Sequence, residues 1–148
     1  IYDNRHVIRA AAVPFVTAMG LGSVLAAGSA VAMAGWLDFD AALRATLATK
    51  SITSPMAFGV ADEIGGLPVL AMGVVIVTGN FGVLVAPKIF ATFGLTDERA
   101  QGLALGVVTH GIGTAEAVRR SALMGSFAGL AMGVNGVLTS LILPFVFL

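Results

Sequence analysis

Thr49-Lys50-Ser51-Ile52-Thr53-Ser54-Pro55 and, sixty residues on, Thr109-His110-Gly111-Ile112-Gly113-Thr114 decide the fold of this chain. Both stretches are polar and helix-breaking, in a sequence that is otherwise apolar. Each is followed at the same offset by Leu-Ala-Met-Gly-Val, from Leu70 to Val74 and from Leu130 to Val134. Aligned without gaps, residues 49–77 and 109–137 also share Thr49/Thr109, Ile52/Ile112, Ala57/Ala117, Gly65/Gly125 and Val77/Val137. A composition rich in Ala, Gly, Leu and Val raises the rate of coincidental identity. Coincidence does not, however, set break upon break. The pattern predicts a duplicated unit, with repeats at about residues 38–93 and 97–148.

Working outward, the flanks of the breaks are membrane-like. Hydrophobic residues make up 57% of the chain and charged ones 11%, against about a quarter charged in soluble domains. The mean hydropathy is +0.97. Three windows carry no charge: Ala10 to Leu37, Ile64 to Pro87 and Ser121 to Leu148. Each exceeds the ~20 residues that cross a bilayer core as a helix. A chain this short cannot bury three such helices on all sides. The expected fold is therefore all-α and polytopic, a single transmembrane domain over residues 1–148. One span (about Val13 to Leu37) precedes two repeats, each a broken helix followed by a full crossing.

Several function classes drop out. Zero net charge offers no basic field for nucleic acid, and the absence of cysteine removes disulfides and thiolate metal sites. His6 and His110 lack metal-site spacing, so no metal or other cofactor is expected. No nucleophile–base pair points to an enzyme. The chain opens at Ile1, with Arg5, His6 and Arg9 ahead of an apolar run too long for a signal-peptide core. It reads as a piece whose beginning lies upstream.

Within the first repeat, Asp38-Phe39-Asp40 can cap a helix to about Ala48. Ser54 and Pro55 read as the N-cap and first residue of a half-helix ending near Asp62-Glu63. Gly65-Gly66 then turns the chain into a span of about Leu67 to Pro87. In the second repeat a half-helix runs to about Val108, the chain breaks from His110 to Gly113, and Thr114 caps the next half. Each broken segment either crosses the bilayer or forms a re-entrant hairpin. Lys and Arg favour cytoplasmic loops. Hairpins place Arg5, Arg9, Lys88, Arg99, Arg119 and Arg120 on one side and Asp38, Asp40, Asp62 and Glu63 on the other, with Arg44 the exception. Charge thus favours hairpins, giving inverted repeats.

Lys50 is the sharpest chemical signal. A lysine at membrane depth costs about 2.5–3.5 kcal/mol on insertion scales and faces a partner or a wet cavity. Asp62 and Glu116 are the candidate ion-pair partners. Against a purely structural role, Thr49, Ser51, Thr53 and Ser54 surround Lys50, and the half-helix at Pro55 aims N–H groups and a positive dipole end at the same place. That set suits a carboxylate. His110, Thr109, Gly111, Gly113 and Thr114 would complete the site from the second repeat, His110 binding substrate, carrying a proton or bonding between helices. Gly125, Gly129 and Gly133 form a ridge for close helix packing, and a homodimer is one use for it. Asn80 and Asn135 read as interhelical hydrogen bonds.

The strings LATKSITSPMA (47–57), IVTGNFG (76–82), RAQGLALGVVTHGIGTAEA (99–117) and GSFAGLAMGVNGVLTSLILP (125–144) resemble the LrgB/CidB family of bacterial membrane proteins. Ile1-Tyr2 resembles a short motif internal to that family. Thr49 departs from it, standing where proline usually precedes the Lys-Ser pair. The resemblance implies a multi-pass protein of the bacterial cytoplasmic membrane and two functional descriptions. One is a transporter of small monocarboxylates or 2-hydroxy acids such as glycolate, glycerate or pyruvate, as in the related plastid translocator. The other is a holin/antiholin-like protein that regulates murein hydrolase activity and lysis with an LrgA/CidA-type partner. The residues themselves favour an anion-binding transporter.

Overall fold

The structure, a computed structural model, describes residues 5–148, so Ile1-Tyr2 lies outside the described residues. Among the described residues there are seven helices and no strand: α1 (Arg5–Ala10), α2 (Ala12–Trp36), α3 (Ala41–Ala48), α4 (Ser54–Glu63), α5 (Pro68–Thr92), α6 (Glu98–Arg120) and α7 (Ala122–Phe147). Helices α2, α5 and α7 are each long and apolar enough to cross a bilayer. Their outer faces expose Trp36, Val69, Leu84 and Phe145, surface that suits lipid rather than water. This is an all-helical membrane protein.

Short polar side chains start the helices. Asp40 caps α3 by accepting from the Leu43 N–H at 2.8 Å. Asp97 caps α6 through the Arg99 N–H at 2.8 Å, and the Arg99 guanidinium beside it holds its carboxyl down to about 2. Ser121 accepts from the Met124 N–H at 3.0 Å to cap α7. Gly65, at φ 75°, makes the left-handed turn after α4 that lets the Gly66 N–H reach Ala61 O at 2.7 Å.

Boundaries near proline differ from expectation. Helix α5 continues through Pro87 to Thr92, because proline removes only one hydrogen bond and neighbouring helices hold the rest. Thr53, not Ser54, is the N-cap of α4, and no side chain caps that end.

The second break departs further. Instead of an opening from His110 to Gly113, non-helical torsions are confined to His110, at φ 42° and ψ −128°. Thr114 caps nothing; its hydroxyl donates to Met132 Sδ at 3.7 Å. The turn at His110 is nevertheless sharp. Ser121 donates to the Glu98 carboxylate at 2.6 Å, although a straight helix would hold those residues about 35 Å apart. Residues 98–109 and 111–120 therefore lie side by side, with Gly113 against Leu105 O and Thr109.

Two core clusters fix the long helices. Ala71 and Val75 of α5 pack with Leu143 of α7 and with α3 and α4. Ala86 and Phe90 pack with Met124 and Ala128 of α7 and with Leu105 and Ala117 of α6. Helices α5 and α7 thus run antiparallel, with α3–α4 at one end and α6 at the other. A third cluster of Phe15, Met19, Val107, Phe127 and Ala131 seats α2 on α6 and α7. Phe15 and Phe127 meet edge to face at 5.8 Å.

Small residues set the closest approaches. Gly102 and Gly106 sit on the carbonyl oxygens of Met124 and Ala128, and Gly125 sits on Val118. The predicted ridge does not continue: a Cβ on Gly129 would lie 3.9 Å from Thr114 Cγ2, and one on Gly133 would meet nothing. Residues four apart drift about 40° around a helix, so Gly133 stands about 80° from Gly125 and faces outward. Gly106→Ala should therefore cost about 2–3 kcal/mol in detergent unfolding by driving α6 from α7, while Gly133→Ala should be neutral or up to about 1 kcal/mol stabilising. At position 110 an L side chain is strained, so His110→Gly should unfold at least about 1 kcal/mol later than His110→Ala in the same assay.

Candidate functional site

The two breaks meet halfway along α5 and α7. On α5, Thr78 Oγ1 lies 3.3 Å from Lys50 O in the first break. The next residue, Gly79, accommodates the second: a Cβ there would fall 2.7 Å from His110 Cε1. One turn on, Gly82 leaves room for the Thr109 methyl. On α7, Asn135 Nδ2 donates to Ser51 O at 2.7 Å and, more weakly, to Val107 O at 3.4 Å. Gly136 beside it admits the Met56 side chain of α4. Ser23 of α2 donates to Asn135 Oδ1 at 2.5 Å. Three partners dictate the amide's orientation, since the carbonyls can only accept.

The expected site residues divide by what their polar atoms already do. Lys50 is half-buried and carries no ion pair among the described residues. Glu116 is instead taken by Arg119 at 3.2 Å and Arg120 at 2.8 Å. Ser51 is 2% exposed and His110 3%, and neither Ser51 Oγ nor His110 Nε2 has a hydrogen-bond partner. Thr53 and Ser54 are half-buried at the uncapped start of α4. Proline at the second helical position leaves the Ser54 and Met56 N–H groups as the free donors there.

The other expected ligands are spent or misplaced. Thr49 and Thr109 are buried, but their hydroxyls donate to Thr46 O at 2.8 Å and Leu105 O at 2.6 Å within their own helices. Gly113 is a packing position against Thr109 rather than cavity lining, Gly111 is exposed, and Thr114 is turned to Met132. Lys50, Ser51, Thr53, Ser54 and His110 remain as groups with capacity to bind. No group of His, Asp and Glu among the described residues could hold a metal ion.

Asn135 belongs to this layer, though sequence reasoning placed it only as an interhelical bond. The available signal, a polar amide in mid-span, was equally present at Asn80. Asn80 faces outward and donates to Ile76 O of its own helix at 2.8 Å, so among the described residues it bridges no helices. Two clefts lie apart from the breaks. One, of about 330 Å³, separates the start of α2 from Asp97, Arg99 and Leu103. The other, of about 150 Å³, runs between α2 and α7 and touches the central layer at Ser23.

The layer where the breaks meet thus holds a free hydroxyl and a free imidazole nitrogen at full burial, with the half-buried Lys50 in the first break. Buried polar atoms without partners cost about 1–3 kcal/mol each, which makes Ser51 and His110 positions that call for an explanation.

Comparison with known proteins places this arrangement. The uncharacterised protein YwbG of Bacillus subtilis is 30% identical over 145 residues, 98% of this chain and 64% of its own length. The holin-like protein CidB of Staphylococcus epidermidis is 29% identical over 99 residues, 67% of this chain and 43% of its own. The antiholin-like protein LrgB of Bacillus mycoides is 25% identical over 129 residues, 87% of this chain and 56% of its own. The chain thus spans less than two thirds of the length of the relatives it matches. No solved structure matches. The model of the LrgB-like family matches residues 1–148, and the chain belongs to that family.

Proposed function

We propose that this protein acts in the bacterial cytoplasmic membrane as an antiholin-like component, regulating murein hydrolase activity and lysis with an LrgA/CidA-type partner. The names of its holin-like CidB and antiholin-like LrgB relatives support that reading. A second reading concerns what the polar layer does: it binds a small monocarboxylate or 2-hydroxy acid such as glycolate, glycerate or pyruvate, and passes it across the bilayer. One observation carries it. Ser51 Oγ and His110 Nε2, one from each break, are buried without partners in the layer where the breaks meet, with unpaired Lys50 in the first.

In this reading Lys50 and Ser51, with the start of α4, hold the carboxylate, and His110 bonds the substrate's other oxygen. Helices α3–α4 and the folded α6 act as re-entrant hairpins of two inverted repeats, α3–α5 and α6–α7. The antiparallel course of α5 and α7 supports that symmetry. The end bearing Lys88, Arg99, Arg119 and Arg120 faces the cytoplasm. Movement of one repeat against the other exposes the layer to either side.

The test is uptake of labelled glycolate or pyruvate by the intact protein in proteoliposomes. Lys50→Ala should reduce uptake by at least about tenfold, the order expected for losing a charged hydrogen bond. Unchanged uptake in that variant would sink the site assignment. If no carboxylate moves while cell lysis still responds to the protein, the antiholin-like reading stands without the transport one.

A further inference from the structure

One side chain that belongs to neither break reaches the backbone beside both. Asn135, fully buried on α7, donates to the Ser51 carbonyl of the first break at 2.7 Å and, at 3.4 Å, to the Val107 carbonyl of α6, three residues before the turn at His110. The residue four after Ser51 is Pro55, which has no N–H, so the Ser51 carbonyl has no helical donor. Water cannot stand in for Asn135 at full burial, so this carbonyl depends on it. The same amide accepts from Ser23 at 2.5 Å, in competition with Met19 O 2.8 Å from that hydroxyl, and the bond favours the orientation that directs Nδ2 at the carbonyls.

We infer that Asn135 is a positioning residue, setting the spacing between Ser51 and His110 in the anion site, with Ser23 fixing its orientation. The inference rests on the carboxylate reading for its consequence, but the geometry it describes is independent of transport. Asn135 touches no substrate. It acts by keeping Ser51 and His110 close enough for one small anion to bond both. Helices α6 and α7 already move as a unit, because Gly102 and Gly106 lock them backbone to backbone. The 2.7 Å bond to Ser51 O is a polar tie between that unit and the first break, beside the packing of His110 and Thr109 on α5.

Two measurements on the intact protein in liposomes test this. The first reads geometry: Ser51→Cys alone should resist a membrane-permeant maleimide, and adding Asn135→Leu should speed its labelling by at least about tenfold, as expected for losing a buried hydrogen bond. Adding Ser23→Ala instead should give a smaller rise, since both donors survive. The second reads function: in glycolate uptake, Asn135→Leu alone should raise KM about tenfold or more while the maximal rate stays within about twofold. Labelling that does not change, or a loss confined to the maximal rate, overturns the positioning role. Should the unaltered protein move no glycolate, the transport reading fails by itself and the labelling result alone decides this inference. Gel filtration of each variant excludes collapse of the fold as the cause, and a monodisperse Ser23→Ala protein with parent-like labelling would count against the orienting bond.

Discussion

A bilayer core offers no water to a backbone that leaves the helix. That constraint shapes the chain more than any pairwise contact. Each broken segment must find its missing partners inside the protein, which forces both breaks inward to the same layer and makes α5 and α7 their walls. The three apolar helices are then less the structure's purpose than its casing. Their outward faces carry little chemical variety, whereas the inward faces carry Thr78, Asn135 and the glycines that make room for the breaks.

The glycines divide the labour by what they face. Those toward backbone carbonyls, Gly102 and Gly106, weld α6 to α7. Those toward side chains, Gly79, Gly82 and Gly136, are sockets for His110, Thr109 and Met56. Welds resist relative motion, because a carbonyl cannot yield as a side-chain tip does. Sockets permit it. The α6–α7 contact is therefore the stiffest in the molecule, and the contacts of α5 with His110 and Thr109 are softer.

The spans were legible from charge-free windows, since hydropathy over ~20 residues leaves few alternatives. The chemistry of the breaks was legible in part. Lys50, Ser51 and His110 stood out because ionisable and polar groups at membrane depth are costly. What the sequence hid was which hydroxyls are already used. Thr109 and Ser51 look alike as residues, yet one bonds the carbonyl four residues back and the other bonds nothing. That difference depends on local torsions, which no composition or spacing encodes. Likewise Asn80 and Asn135 carry the same side chain in similar surroundings, and only the rotation of their helices separates an outward amide from the central one. The extent of the second break was misjudged for a related reason: glycines at 111 and 113 permit an opening but do not require one, and His110 alone makes the turn.

Helix α2 belongs to neither of the broken segments. Its hydroxyl at Ser23 nevertheless reaches the Asn135 amide of the central layer. Helix α2 is thus tied to the central layer by a polar bond as well as by the apolar cluster of Phe15 and Met19, and a substitution on its inner face reaches the breaks without touching either of them.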